Sequence, residues 1–257
     1  MLMDAPPEAN ERRKKMKTRK WTLCVSLVVM LFFTVSSGAY GELYWESLVV
    51  TGGSPEGLPK DMPEQVRKQI LEQFEKKSET ARYYLASHAW RAETTDGIMI
   101  MTFDSMTMCQ MNPEDRTYVK VDMMSEMNRG AGKDMSKDVQ IIPTNEYREI
   151  AGYKSRKYYM TVMDFRSEYW VSKEVSGYRE YKRIMEKALR ENPQLQQMGI
   201  FGIPAEEGFP VKTVNKVMGM TTTTTLKKIE KRSLSKALFE VPEGYRLREA
   251  MSPSMKE

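Results

Sequence analysis

The densest group of chemically capable side chains is Met106-Thr107-Met108-Cys109-Gln110-Met111. Thioether and thiolate are soft ligands that favour Cu(I), so the run invites a copper-handling reading. Extended backbone weakens it. On a strand, Met106 and Met108 point one way while Cys109 and Met111 point the other. The chain holds 22 methionines, so some clustering arises by chance. Other chemistry is thinner. His88 is the single histidine, which excludes a His-based metal cluster. No serine sits in a nucleophile elbow where His88 would activate it. Gly52-Gly53 precedes Ser54-Pro55 rather than the Lys-Ser/Thr of a phosphate-cradling loop. His88 lies between Ser87 and Ala89 at a turn and reads as structural or solvated. These residues predict no enzyme, no cofactor and no bound metal.

The elements that would position any site centre on Arg82 to Val121. This stretch reads as a meander of four short strands, with turns at Thr95-Asp96-Gly97, Asp104-Ser105 and Asn112-Pro113-Glu114-Asp115. Met99, Met101 and Phe103 share one face, and Ile98, Ile100 and Thr102 share the other. Both faces are largely apolar, so cover is expected on both sides. Glu42 to Gly52 predicts an earlier strand. Pro63 to Lys77 predicts a helix capped by Asp61, with Val66, Ile70 and Phe74 as a stripe for packing on the sheet. Ser125 to Asp138 is polar and aperiodic and reads as a mobile loop. Ile141 to Tyr159 gives a turn and a strand with a bend at Gly152. Lys157 to Met163 and Glu168 to Ser172 form a hairpin. Ser176 to Gln197 predicts a second helix, capped by Ser176, striped by Tyr178, Tyr181, Met185 and Leu189, and interrupted at Pro193. Gly199 to Pro210 is a loop whose Ile200, Phe201, Ile203 and Phe209 fold over the core or form a lid. Val211 to Met220, the β-branched Thr221 to Lys231 and Leu238 to Leu247 complete the sheet.

Composition bounds the compartment. The chain has 257 residues and a net charge of +5. Residues 1–41 hold seven of the 40 Lys/Arg and three of the 35 Asp/Glu, leaving 33 against 32 for the rest. The basic balance is therefore N-terminal and is no nucleic-acid footprint. A basic block, Arg12 to Lys20, precedes the uncharged stretch Trp21 to Gly41. Ala39 and Gly41 are small and two apart, as a signal peptidase requires, so export with cleavage after Gly41 is expected. Met16 is an alternative start. The competing reading is an uncleaved inner-membrane anchor over residues 21–41, since ~20 residues span a bilayer. Either way the body, residues 42–248, lies outside the cytoplasm, in the periplasm or its equivalent, with 249–257 as a short disordered tail. Removal or embedding of Cys24 leaves Cys109 without a disulfide partner.

Three segments carry a resemblance. They are Trp90-Arg91-Ala92-Glu93 with Asn112-Pro113 and Thr117-Tyr118; Ile150 to Lys154 running to Tyr158 and then Tyr169-Trp170-Val171; and Leu238 to Tyr245, with its Phe-x-Val-Pro-x-Gly-Tyr ending. In this order the chain resembles the secreted bacterial domain of unknown function 4412 family, similar in outline to the LolA/LolB-like lipoprotein carriers. The resemblance covers roughly residues 42–248. It implies an α+β fold: a strongly curved antiparallel sheet, an incomplete barrel, packed on two main helices, with acyl chains held on its concave side. Such a cavity between sheet and helices would be lined by Met99, Met101, Phe103, Met106, Met108, Tyr158, Met160, Trp170 and Met185, since Met and aromatic side chains adapt to flexible chains. The implied partner is a lipid or lipoprotein. The alternative is a structural or interaction module in which these residues are ordinary close-packed core.

Overall fold

A computed structural model describes residues 42–55, 62–125, 139–162, 165–197 and 202–248. The expected leader or anchor over 1–41, the Asp61 cap, the loop over 126–138, Ile200 and Phe201, and the tail over 249–257 lie outside the described residues.

Among the described residues twelve strands form one sheet. They are β1 (Glu42–Gly53), β2 (Lys77–Leu85), β3 (Ala89–Thr94), β4 (Gly97–Thr102), β5 (Thr107–Asn112), β6 (Thr117–Asp122), β7 (Val139–Ile150), β8 (Tyr153–Val162), β9 (Phe165–Ser172), β10 (Phe209–Val217), β11 (Met220–Arg232) and β12 (Arg246–Arg248). Their order is β12-β6-β5-β4-β3-β2-β1-β11-β10-β9-β8-β7. Two meanders, β2 to β6 and β7 to β11, are thus joined through β1, which pairs with β2 on one side and β11 on the other. Every pairing is antiparallel except the three-residue β12 beside β6.

The sheet is open and strongly curved. Leu43, Leu85, Met101, Trp170, Phe209, Val211 and Leu226 all enter one core cluster. They span the sheet from β4 to β9, six inter-strand steps apart in the order. At ~4.8 Å per step a flat sheet would spread them over about 29 Å. Curling around a helix ~10 Å across brings them together. That helix is α2 (Tyr178–Glu191). Of the expected stripe, Tyr181 and Met185 are buried and Tyr178 and Leu189 pack half-buried at its edges; Ile184 and Ala188 complete the buried set, which follows the i, i+3, i+4, i+7 spacing of one apolar stripe. Tyr181 meets Phe209 edge to face at 5.0 Å, and Phe209 meets Trp45 likewise at 5.5 Å. At its start Gly177 lies so close to Leu43 and Ile229 that a Cβ would come within 2.9 Å of both. Helix α2 stops before Pro193, and a short α3 (Gln194–Gln197) follows, so the expected interruption is present.

Three expectations are corrected. The helix α1 (Glu64–Gln73) is shorter than expected, because β2 begins at Lys77, and it does not pack on the core. Val66 and Leu71 are 43% and 46% exposed. The fold therefore rests on one main helix, α2, rather than two. Ser176 does not cap α2; Gly177 holds that position with no side-chain cap. Leu238 to Leu247 is not a full strand either. It forms a 3-10 turn over Lys236–Phe239, an irregular strap, and then β12. Ser235 caps the turn through the Ala237 amide, and Arg91 donates to the Leu238 carbonyl at 2.7 Å. Pro242 cannot donate to a ladder, which also opposes a continuous strand there.

Two further readings change in strand count: Arg82 to Val121 holds parts of five strands, β2 to β6, rather than four, because the chain turns at residues 86–88, and Ile141 to Tyr159 holds parts of two strands, β7 and β8, rather than one. The Thr run lies in β11, with Thr222 against Thr51 of β1, their hydroxyls 3.2 Å apart. Ala151 and Gly152, with φ of 52° and 79°, make the tight turn between β7 and β8.

Candidate functional site

The register sorts the meander residues into rows. On the side facing α2, one row runs Leu43, Leu85, Trp90, Met101, Met108 and Val121. The next row on that side runs Trp45, Tyr83, Ala92, Met99, Gln110 and Val119. Between them, pointing the other way, run Tyr44, Tyr84, Arg91, Ile100, Cys109 and Lys120. Alternation along each strand produces this division, and hydrogen-bonded pairing carries it across six strands.

The α2 side is graded. Near β1 and β2 it is closed: Leu43 and Leu85 are essentially inaccessible. Toward β5 and β6 it opens, and Trp90, Met99, Met108, Val119 and Val121 are all half-buried. Trp45 stacks on Tyr83 at 5.1 Å, and Tyr83 on Trp90 at 6.2 Å, continuing the apolar floor toward that end. Burial raises the Tyr83 phenol pKa, with Glu79 adding to the rise.

The nine expected cavity residues do not form one lining. Met101, Phe103, Met106, Trp170 and Met185 are buried in the main core around α2. Tyr158 and Met160 belong to a separate cluster with Val171 and Ile203. There Ile203 folds down from the loop before β10, and Tyr158 donates a 2.6 Å hydrogen bond to Glu207. Burial and that carboxylate push the Tyr158 pKa up to about 12. Met99 and Met108 remain half-buried on the open part of the floor. Sequence reasoning missed Trp90, Tyr83 and Trp45 as their neighbours. Alternation along β1, β2 and β3 sets which way each points within its own strand, but only the cross-strand register brings the three onto the face that carries Met99 and Met108.

The soft-ligand run is split as alternation requires. Met106 and Met108 lie on the α2 side, while Cys109 and Met111 pack on the other face with Ile100, Tyr118 and Phe239. Among the described residues no three His, Cys, Asp or Glu side chains converge on a metal-sized space. His88 lies edge-on to Phe239 at 5.3 Å, a packing role. A charged group was also unforeseen. Lys157, 11% exposed in its side chain, pairs with Glu168 at 3.2 Å and Glu146 at 3.4 Å. The Trp170 indole donates to Glu168 at 2.6 Å. Hydrogen bonds to Tyr159 and Glu168 raise the lysine pKa despite its desolvation. This cluster satisfies its own charges and joins β8 to β7 and β9.

Among the described residues, one curved, mainly antiparallel sheet wraps on the amphipathic helix α2 and leaves an apolar floor half-covered at one end, which defines an α+β scaffold. The family described as a domain of unknown function (DUF4412) matches residues 65–245, and the chain belongs to it. No curated protein matches the chain. Among solved structures, PNGF-II shares 14% identity at a TM-score of 0.39, over 81% of this chain and 31% of that one. MucB in complex with MucA(peri) shares 8% at 0.35, over 79% and 55%. A candidate outer membrane lipoprotein-sorting protein domain from Vibrio parahaemolyticus shares 7% at 0.33, over 79% and 90%. The chain thus spans about a third of PNGF-II and about half of MucB. Likeness this distant carries neither ligand nor activity across.

Proposed function

We propose that the protein is a non-enzymatic binding protein of the cell envelope that holds a flexible apolar chain, from a lipid or an acylated protein, against the α2 side of β2 to β6. The observation that carries this is the half-buried row of Trp90, Met99, Met108, Val119 and Val121 beside a closed core. Burying such a floor under an acyl chain gains ~25 cal/mol per Å² removed from water. Unbranched thioethers adapt to chains of variable shape. Export is supported by the basic block and the uncharged stretch over residues 12–41. A non-enzymatic role is supported by the packing of His88 on Phe239 and by the half-buried Cys109 thiol, whose pKa desolvation raises.

Native mass spectrometry of the gently purified protein, followed by solvent extraction, tests the reading. A stoichiometric lipid is expected in the wild type. It should be lost in Met99→Lys and Met108→Lys, with the thermal midpoint kept within a few degrees. Protein that stays apo after incubation with envelope lipids would favour a filled-core interaction module, a reading supported by the near-complete burial of Met101, Phe103, Trp170 and Met185.

A further inference from the structure

A second recess lies across the same strands, on the face turned away from α2, and it is independent of the floor described above. Ile100, Cys109 and Lys120, one cross-strand row, line it together with Tyr118. Phe239 and Val241 of the C-terminal strap form its wall. Its volume is about 230 Å³, room for seven or so waters at ~30 Å³ each. The lining mixes two chemistries. Ile100, Phe239 and Val241 are apolar. Thr102, Ser105 and Thr107 carry hydroxyls, that of Thr107 donating to the Ser105 carbonyl at 3.3 Å, and Lys120 carries a positive charge.

None of the lining residues is acidic. The acid next on this face, Asp122, accepts the Met124 and Ser125 amides at 3.0 and 3.1 Å. Among the described residues no ion pair engages Lys120. A neutral apolar guest would leave this cation and these hydroxyls without use. A bare small anion would leave the apolar wall unfilled, and a lone exposed lysine binds such an ion weakly. A guest with both characters matches this lining. The volume accommodates a tail of a few carbons.

We infer that this recess binds a short alkyl carboxylate, its tail against Ile100, Phe239 and Val241 and its carboxylate beside Lys120. The class is a small organic acid, distinct from the long apolar chain proposed for the other face.

Cys109 supplies the readout, because its thiol lines the recess and a guest there must hinder it. The experiment uses the full chain carrying Cys24→Ser, so that Cys109 is the single thiol. The rate of its alkylation by N-ethylmaleimide is measured at fixed pH against rising hexanoate, with hexanol as the neutral comparison. Hexanoate should slow alkylation severalfold and saturably, while hexanol at equal concentration has a much smaller effect. Lys120→Gln, a change at an exposed position, should abolish saturable protection. Val241→Trp should fill the recess, slowing alkylation by itself and removing the hexanoate dependence. Three results would each overturn the proposal: no slowing by hexanoate in the folded protein, equal slowing by hexanol, or protection that survives Lys120→Gln. Lipid retention at Met99 and Met108 is read in a separate assay, so failure here leaves the other reading standing.

Discussion

The two faces of the β2 to β6 meander are covered by different means. On one face a fourteen-residue helix drives Tyr181, Ile184, Met185 and Ala188 into the sheet. The result is a continuous core in which Leu43, Met101, Trp170 and Met185 have almost no exposure. On the other face the cover is a strap. Only Phe239 of its side chains is buried in the cluster there, with Leu238, Val241 and Tyr245 packed at the edge. Its attachments are polar and few: Arg91 to the Leu238 carbonyl, the Arg246 amide to the Arg116 carbonyl, and Arg248 to Asp115 at 2.7 Å. A helix buries a whole stripe because its repeat keeps side chains in register with a curved surface. A short irregular segment has no such repeat, so it bridges rather than fills. The strap therefore leaves a recess beside it.

The contrast can be broken by substitution. The largest effect is expected at Met185→Ala, which should cost about 2–5 kcal/mol by opening a cavity in a close-packed core. Urea denaturation measures it, and a loss below about 1 kcal/mol would mean that the helix side is as loosely filled as the strap side. Next comes Arg91→Met. The guanidinium is buried, pairs with Glu93 at 2.7 Å and holds the strap. Its removal should cost about 2 kcal/mol, less than for a fully buried pair because Glu93 keeps some contact with water. Hydrogen exchange should rise first over residues 234–248, and a uniform rise across α2 would contradict separate covers.

A smaller effect is expected from Tyr158, in the third cluster. Burial and Glu207 raise its pKa to about 12 from 10.0. The folded state thus keeps a proton that the unfolded state releases. The contribution is complete below pH 10 and is lost as pH rises toward 12. Urea midpoints of the wild type should fall across this window, and Tyr158→Phe should flatten part of the fall. The smallest effect is reserved for α1. Val66→Ser should change stability by no more than about 0.5 kcal/mol, since that side chain is largely exposed. A larger loss in thermal melts would restore α1 as a second cover.

Much of this was legible in the chain. Alternation in Ile98 to Phe103 predicted two apolar faces, and the faces belong to different clusters. The stripe of α2, its interruption at Pro193 and the bend at Gly152 follow from neighbours within a few residues. What α1 and Leu238 to Leu247 did was not local. Val66, Ile70 and Phe74 carry the periodicity of a packed helix, yet periodicity shows only that a face exists, not that a surface meets it. Leu238 to Leu247 contains apolar residues suited to a strand, but a buried arginine from β3 takes its carbonyl and Pro242 withholds a donor.

The sequence by itself determined most of the strands, the helix α2, the apolar faces of the meander and the separation of Cys109 from Met108, because those depend on backbone periodicity. Only the tertiary structure decided that β1 would join the two meanders, that five of the nine expected lining residues would close into core, and that Trp45, Tyr83 and Trp90 would extend the floor beside Met99. Pairing partners lie up to 190 residues apart, as Glu42 and Arg232 do. Such contacts are chosen by the competition among all strands for edges and cover, and no local window records its outcome.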